Sequence, residues 1–234
     1  MDEILDAFAQ ALGLITSGDP VFLTVVALSR KVSMIALAIS AIVGIPLGAL
    51  LAVTRFRGRQ LVLIMISALM GLPPVVVGLG VYLMLSRAGP LGVLDLLYTP
   101  TAMIIAQSIL VTPILAALTR QLLEDMNAEY AELMASFRLG KLAQIRTLIW
   151  DGRFGILTAL LAGFGRATAE VGAVIIVGGN INHLTRVMTT TIALETSRGN
   201  LELAMALGIV LILIAFCVNA LLTMISATTG RGYA

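Results

Sequence analysis

Residues 160–181 read LLAGFGRATAEVGAVIIVGGNI, a stretch that is almost wholly apolar but carries two opposite charges. Arg166 and Glu170 stand near its middle, four residues apart. Roughly 20 apolar residues in helical form cross a hydrocarbon core of about 30 Å. The stretch is therefore predicted to belong to a membrane-spanning helix that carries both charges on one face.

The composition of the whole chain indicates the same class of protein. Of its 234 residues, 59% are hydrophobic and only 12% are charged, whereas about a quarter of the residues of a soluble domain are charged. So few charges could hardly cover a surface in water, which predicts an integral membrane protein. The formal net charge of +2 is too small to indicate a nucleic-acid partner.

Five continuous apolar segments are long enough to cross a bilayer as helices. They are residues 32–54, 61–85, 101–122, 154–177 and 201–226, and the first could begin earlier, near Phe22. Because these segments do not alternate between apolar and polar residues, a barrel is excluded. The predicted fold class is all-α integral membrane protein with about five transmembrane helices, in a domain over residues 21–226.

Shorter segments flank this domain. Ile4, Leu5, Phe8, Leu12 and Ile15 recur at helical spacing within residues 1–20. This pattern favours a short amphipathic helix at the membrane surface, with a frayed terminus as the alternative. Residues 227–234 are predicted to form a cytoplasmic tail.

The basic residues predict the orientation of the spans. Arg55, Arg57 and Arg59 lie in the first connection. The third connection carries Arg120, Arg138, Lys141, Arg146 and Arg153. Cytoplasmic loops of membrane proteins carry an excess of Lys and Arg. The N-terminus is therefore predicted to lie outside and the C-terminus inside, with loops 86–100 and 178–200 facing outward.

The second span contains the sequence GLPPVVVGLG at residues 71–80. Pro73 and Pro74 remove two backbone donors and predict a broken helix. Broken helices are typical of membrane segments that move or line a cavity. Simple packing between helices is the alternative interpretation.

Residues 124–153 are longer than a simple connection between two spans requires, and we refer to them as the coupling segment. One amphipathic piece runs from Ala131 to Arg138, Gly140 interrupts it, and a second runs from Leu142 to Ile149. A short helix with small and apolar residues on the cytoplasmic face fits a groove in another protein. The alternative is an interfacial helix that rests on lipid.

Within the coupling segment, residues 132–138, ELMASFR, resemble a degenerate form of the E-A-A-x-x-x-G loop of ABC-type importer permeases. Glu132 takes the place of the glutamate, Arg138 stands where the motif has glycine, and Gly140 follows two residues later. The resemblance implies that this region is a coupling helix that contacts a separate ATPase. The contact residues expected on this basis are Glu132, Ala135, Ser136, Phe137, Arg138 and Gly140.

A second resemblance narrows the family. Residues 163–181, GFGRATAEVGAVIIVGGNI, are similar to the stretch after the coupling loop in permeases of the sulfate, molybdate and tungstate group. Residues 69–92 and 185–200 look most like the tungstate permeases. The resemblance covers roughly residues 20–226 and implies a type I ABC importer permease fold in the cytoplasmic (inner) membrane of a bacterium or archaeon.

The same resemblance implies an assembly of two copies of this chain, two ATPase subunits and one external oxyanion-binding protein. Molybdate or sulfate is the alternative substrate. A secondary transporter driven by an ion gradient is less favoured, because no internal repeat is visible in the hydropathy. An intramembrane enzyme would need a cluster of His, Asp or Ser in the spans. Arg166 and Glu170 alone are a poor basis for catalysis.

The chain has no G-x-x-x-x-G-K-[ST] phosphate-binding loop. It is therefore predicted not to be an enzyme, and ATP hydrolysis is expected in a partner subunit. Its single histidine, His183, excludes a metal site built from a histidine cluster, and no cofactor is expected.

The charges of the opening stretch are the main candidate site. Each costs about 2.5–3.5 kcal/mol at the centre of a bilayer, so both are expected to face protein or a water-filled cavity. One hypothesis is that Arg166 and Glu170 line the translocation path or its gate together with Pro73, Pro74 and Gln107. The other is a buried pair that fixes helix packing. Because the base precedes the acid, an intrahelical pair is not especially favourable, and a partner on another span or across a dimer axis remains open.

Overall fold

A computed structural model describes residues 9, 12–13 and 15–230, and these residues are helical with no β-strand. The helices are α1 (Pro20–Val53), α2 (Arg59–Met70), α3 (Pro74–Leu85), α4 (Pro100–Glu129), α5 (Ala131–Ser136), α6 (Lys141–Asp151), α7 (Arg153–Thr168), α8 (Gly172–Gly178), α9 (Met188–Arg198) and α10 (Leu201–Gly230). Most of the predicted N-terminal amphipathic helix, including Ile4, Leu5 and Phe8, lies outside the described residues. Ile15 packs against Phe22 at the start of α1.

Three helices are long and apolar enough to span a membrane by themselves, namely α1, α4 and α10. Two further pairs pass the same test together but are bent, α2 with α3 by 99° and α6 with α7 by 74°. If each bent pair is one span, the described part of the chain has up to five spans. The prediction of an all-α membrane protein is thus confirmed, and α1 begins near Phe22, as the sequence allowed.

The predicted break at the double proline is present. Helix α2 ends at Met70, and α3 begins at Pro74 after Gly71, Leu72 and Pro73. Pro74 occupies the first turn of α3, where its missing N–H leaves no helical acceptor unpaired. The chain therefore turns sharply at this point at little cost in hydrogen bonds.

The prediction of one continuous helix over residues 154–177 is wrong. Helix α7 ends at Thr168, and the short α8 begins only at Gly172. Glu170 lies in the gap, where its Oε1 accepts the N–H of Ala173 at 3.0 Å and so caps the first turn of α8. The 16 residues of α7 cover about 24 Å, so the two charges lie at a helix end and not in the middle of a span.

The prediction that residues 178–200 form only an outer loop is also wrong, because they contain α9. The end of α8 is as expected: Gly179 adopts a left-handed backbone with φ 68° and closes the helix. Toward the other terminus, α10 runs to Gly230, four residues past the predicted end of the last span. Of the predicted tail, residues 231–234 lie outside the described residues.

Helices α1 and α4 pack closely because small residues line their contact. A Cβ atom on Gly48 would lie 2.5 Å from the carbonyl oxygen of Ala116, and one on Gly44 would lie 2.9 Å from that of Thr112. The hydroxyl of Ser40 also donates to the carbonyl of Ser108 at 3.2 Å. Small residues four apart let membrane helices approach in this way. This pair forms the frame on which the other helices pack.

An ion-pair cluster joins the first connection to the end of α4. Glu124 accepts from Arg59 at 2.8 Å, contacts Arg55 at 3.8 Å, and accepts from Arg120 one turn earlier in α4. Arg59 also donates through its Nε to the carbonyl of Leu51 in α1. The cluster therefore holds the predicted cytoplasmic ends of α1, α2 and α4 together.

Candidate functional site

The two helix breaks lie side by side. A Cβ atom on Gly172 would lie 2.8 Å from the Cγ2 of Val75, and one on Gly78 would lie 2.7 Å from the Cα of Ala173. Val75 directly follows Pro74, and Gly172 is two residues from Glu170. The Pro73–Pro74 break and the break at Glu170 thus meet across a contact that has no room for larger side chains.

Glu170 is the centre of this site, and it is 3% exposed. Its Oε2 accepts from Nη1 of Arg166 at 2.5 Å, and its Oε1 accepts the N–H of Ala173. Its backbone carbonyl accepts from the hydroxyl of Thr189 at 2.8 Å. One residue therefore links the end of α7, the start of α8 and the first turn of α9.

The partner of Arg166 is thus within the same chain. Because α7 ends at Thr168, the pair does not lie on one continuous helix, and the preference for an acid before a base does not apply. Arg166 lies in the last turn of α7, where the helix dipole favours a cation. Its side chain is 31% exposed while that of Glu170 is almost fully buried, so the guanidinium is the accessible member of the pair.

Gln107 joins this site from α4. Its Nε2 donates to the carbonyl of Ala167 at 3.0 Å, which ties the last turn of α7 to α4. Its Oε1 is buried and has no partner in the part of the chain that the structure describes. The structure thus brings Gln107, Arg166 and Glu170 together and places Pro73 and Pro74 on the neighbouring break.

Two residues of the site were missed by the sequence analysis. Thr189 donates to Glu170, and Ser29 of α1 accepts the N–H of Met188 at 2.6 Å, which caps α9 from a distant part of the chain. A hydroxyl in an apolar span was the signal available for Ser29. Nothing in the sequence around Thr189 indicated that it follows a helix start.

The residues predicted to contact an ATPase form a separate, exposed surface. Met134 of α5 is buried against Leu123 and Leu148, so it anchors α5 to α4 and α6. The six predicted residues around it are all exposed, namely Glu132, Ala135, Ser136, Phe137, Arg138 and Gly140. Phe137, with 69% of its surface exposed, is a large apolar side chain that points away from the rest of the chain.

Arg138 has the backbone conformation that a glycine would adopt with least strain. Its φ is 51°, its N–H donates to the carbonyl of Ala135, and the N–H of Leu139 donates to that of Met134. This is the Schellman pattern that commonly ends helices, in which glycine is the preferred residue. A non-glycine residue pays about 1–2 kcal/mol there. The coupling segment therefore keeps the turn at the position where the resembling motif has glycine.

Comparison with known protein families identifies the family of this chain. The model of the family described as "Binding-protein-dependent transport system inner membrane component" matches residues 44–231. The chain belongs to this family, and it is therefore a transport component of the inner membrane.

Among its relatives, the chain is 44% identical to the tungstate uptake system permease protein TupB of Peptoclostridium acidaminophilum, over 95% of this chain and 97% of that protein. It is 38% identical to TupB of Campylobacter jejuni, over 94% and 92% of the two chains. It is 27% identical to the sulfate transport system permease protein CysW of Synechocystis, over 97% and 83%. The resemblance inferred from the motifs is thereby confirmed.

Proposed function

We propose that this chain is the transmembrane permease of an ATP-driven importer for a tetrahedral oxyanion, and that the oxyanion is tungstate. The observation that supports tungstate as the substrate is the similarity, over more than nine-tenths of the chain, to tungstate uptake permeases from two different organisms. A sulfate permease is similar at a much lower identity. Tungstate is therefore favoured over sulfate, and molybdate is the nearest competitor in chemistry.

The chain works with partners that supply energy and substrate. The functional unit consists of two copies of this chain, two ATPase subunits and one external binding protein. The absence of a phosphate-binding loop in the sequence supports a separate ATPase. The exposed α5 supports a docking contact, because short amphipathic helices commonly fit a groove on a partner.

The packing provides a route from the ATPase contact to the helix breaks. Movement of α5 reaches α4 and α6 through Met134, since that side chain is buried against Leu123 and Leu148. Helix α6 continues into α7 through the bend of 74°. Helix α7 ends at the carbonyl held by Gln107 and at the pair of Arg166 with Glu170. ATP-driven movement of the coupling segment thus changes the geometry of the two breaks, which act as the gate in alternating access.

The charges of the gate suit a dianion that must bind and leave. The accessible guanidinium of Arg166 attracts the anion, and the carboxylate of Glu170 at 2.5 Å weakens that attraction. Conduction requires sites that release their ion. The pair therefore guides the anion without holding it.

A second contact surface lies on the predicted outer side, at residues 181–184, which we call the outer segment. It is exposed, and Thr185 fixes it by accepting the N–H of Ile181 and donating to the carbonyl of Gly178. The hydroxyl of Thr190 donates to Asn180 beside it. A binding protein that docks here contacts a segment tied to both α8 and α9, the two helices that Glu170 joins.

Reconstitution in proteoliposomes with the partner ATPase and binding protein tests the substrate and the energy source. We expect ATP-dependent uptake of tungstate, with competition by tungstate at a much lower concentration than by molybdate or sulfate. Vesicles without the ATPase are the control. Equal competition by molybdate contradicts the tungstate assignment, and uptake driven by an ion gradient without the ATPase contradicts the importer itself.

Cross-linking tests the coupling surface separately. In a Cys217→Ser background, Ser136→Cys on α5 is expected to form a cross-link to the ATPase subunit, because Ser136 is exposed beside Phe137. The matched control is Asn182→Cys in the outer segment, which is equally exposed but predicted to lie across the membrane. The coupling role fails if both positions, or only the control, capture the ATPase.

A further inference from the structure

A small cavity lies where α1, α4, α7 and α9 meet, and its volume is about 20 Å³. Ser29 and Ser33 of α1 and Gln107 of α4 line it, and Glu170 and Thr189 border it. Arg30 and Thr168 also line it, and the remaining wall is apolar, namely Val32, Phe164, Ala167, Val187, Met188 and Ile214. Most of the wall is apolar, but several polar side chains line the same small space between membrane helices.

One polar atom in this wall, Oε1 of Gln107, is buried and has no hydrogen-bond partner among the described residues, and the whole residue is 4% exposed. Ser33, which is 3% exposed, also lines the cavity. Leaving a buried polar group unsatisfied costs about 1–3 kcal/mol. An unsatisfied acceptor beside a small space indicates that the cavity holds its partner.

Ser29 supplies a third group on the same wall. Its oxygen accepts the N–H of Met188 at 2.6 Å, which leaves the hydroxyl proton as a donor on a residue that lines the cavity. Ser29 and Ser33 are four residues apart, so they lie on one face of α1. The wall therefore presents an unpaired acceptor on Gln107 and two hydroxyl groups that can donate.

We infer that this cavity is a binding site for one structural water molecule. A buried water needs about 10–15 Å³ of such space and two to four polar partners, and the cavity meets both requirements. The water donates to Oε1 of Gln107 and accepts from the hydroxyls of Ser29 and Ser33. An oxyanion is excluded, because its four oxygens need several times the space of one water.

This water joins two contacts that otherwise stand apart. Gln107 holds the end of α7, and Ser29 caps the start of α9. A water bridging them links α1, α4, α7 and α9 at the gate by hydrogen bonds that can exchange as the helices move. The site depends only on this geometry and not on which anion is transported.

Radiolytic hydroxyl-radical labelling with mass spectrometry tests the site in the full-length protein. Bound water generates radicals in place, so a buried methionine beside it is oxidised. Met188 lines the cavity and is 2% exposed, while Met103, 0% exposed, packs in an apolar cluster and is the matched control. We expect several-fold more oxidation of Met188 than of Met103 in the unmodified chain.

Two variants complete the test. In Gln107→Leu/Ser33→Ala, oxidation of Met188 is expected to fall to the level of Met103, because the polar partners of the water are removed. If that variant does not fold, Ser33→Ala alone is expected to lower the labelling at least by half. Equal labelling of Met188 and Met103 in the unmodified chain overturns the inference, and so does labelling of Met188 that persists unchanged in a folded variant.

Discussion

Replacing Arg166 with Gln is expected to destabilise the protein by about 3 kcal/mol and to abolish ATP-driven uptake. The change leaves the carboxylate of Glu170 buried without its charge partner. Removing one member of a buried ion pair costs about 3–5 kcal/mol, and the partial exposure of Arg166 places the effect at the low end. Thermal unfolding in detergent and uptake by proteoliposomes measure the two effects.

A double variant separates the two hypotheses for this pair. In Arg166→Met/Glu170→Gln both charges are absent, but the amide oxygen can still accept the N–H of Ala173. Replacing a whole buried pair by neutral groups is often close to neutral in stability. We therefore expect the melting temperature to return close to that of the unmodified protein, while uptake remains lost because no charge guides the anion.

The same double variant also shows whether the pair has only a structural role. If it assembles with the ATPase and transports at the normal rate, the pair serves only to fix the packing of α7 against α8. Co-purification of the ATPase is the control, because it shows that loss of uptake does not come from loss of assembly. Arg166→Lys, which keeps the charge, is expected to retain part of the uptake.

Hydropathy and proline placement predicted the spans well because both act locally. The bilayer requires long apolar helices whatever their neighbours, and Pro73 and Pro74 remove hydrogen bonds wherever they stand. Gly179 ends α8 close to the predicted end of the fourth span, for the same local reason. These features are properties of a few adjacent residues, so the sequence alone contains them.

The break at Glu170 could not be predicted in this way. The residues around it, TAEVG, contain no proline, and their neighbours continue the apolar pattern. The break depends on the carboxylate that caps α8 and on Val75, which packs against Gly172 from another helix. Both the position of Arg166 at a helix end and its pairing within the chain follow from this tertiary contact.

Helix α9 was even harder to predict from the sequence alone. Its sequence, MTTTIALETSR, is short and rich in threonine, which favours a loop. Its first N–H is capped by Ser29, which lies 159 residues earlier in the chain. Thr189 is satisfied by Glu170 in turn. Because the cap comes from so distant a residue, no pattern in the local sequence predicts it. Ser29 and Thr189 nevertheless both belong to the candidate gate.

Replacing Gly48 with Val is expected to destabilise the protein by about 3 kcal/mol or more, since overpacking beyond one methyl group is costly. Even the first added carbon would lie 2.5 Å from the carbonyl oxygen of Ala116 and 2.9 Å from the backbone N of Arg120. Both neighbours are backbone atoms, so neither can rotate away. Helices α1 and α4 must separate to accept the side chain.

Two other glycines give the matched series. Gly44→Ala meets one carbonyl at 2.9 Å and is expected to cost less than Gly48→Val. Gly208→Ala in α10 has nothing within 4 Å, so it is expected to be neutral or to stabilise by up to about 1 kcal/mol through helix propensity. Melting temperatures of the three purified variants rank them. If the Gly48→Val protein has the same melting temperature as the unmodified chain, α1 and α4 do not approach this closely. The packing that positions Gln107 and Ser29 at the gate must then be different.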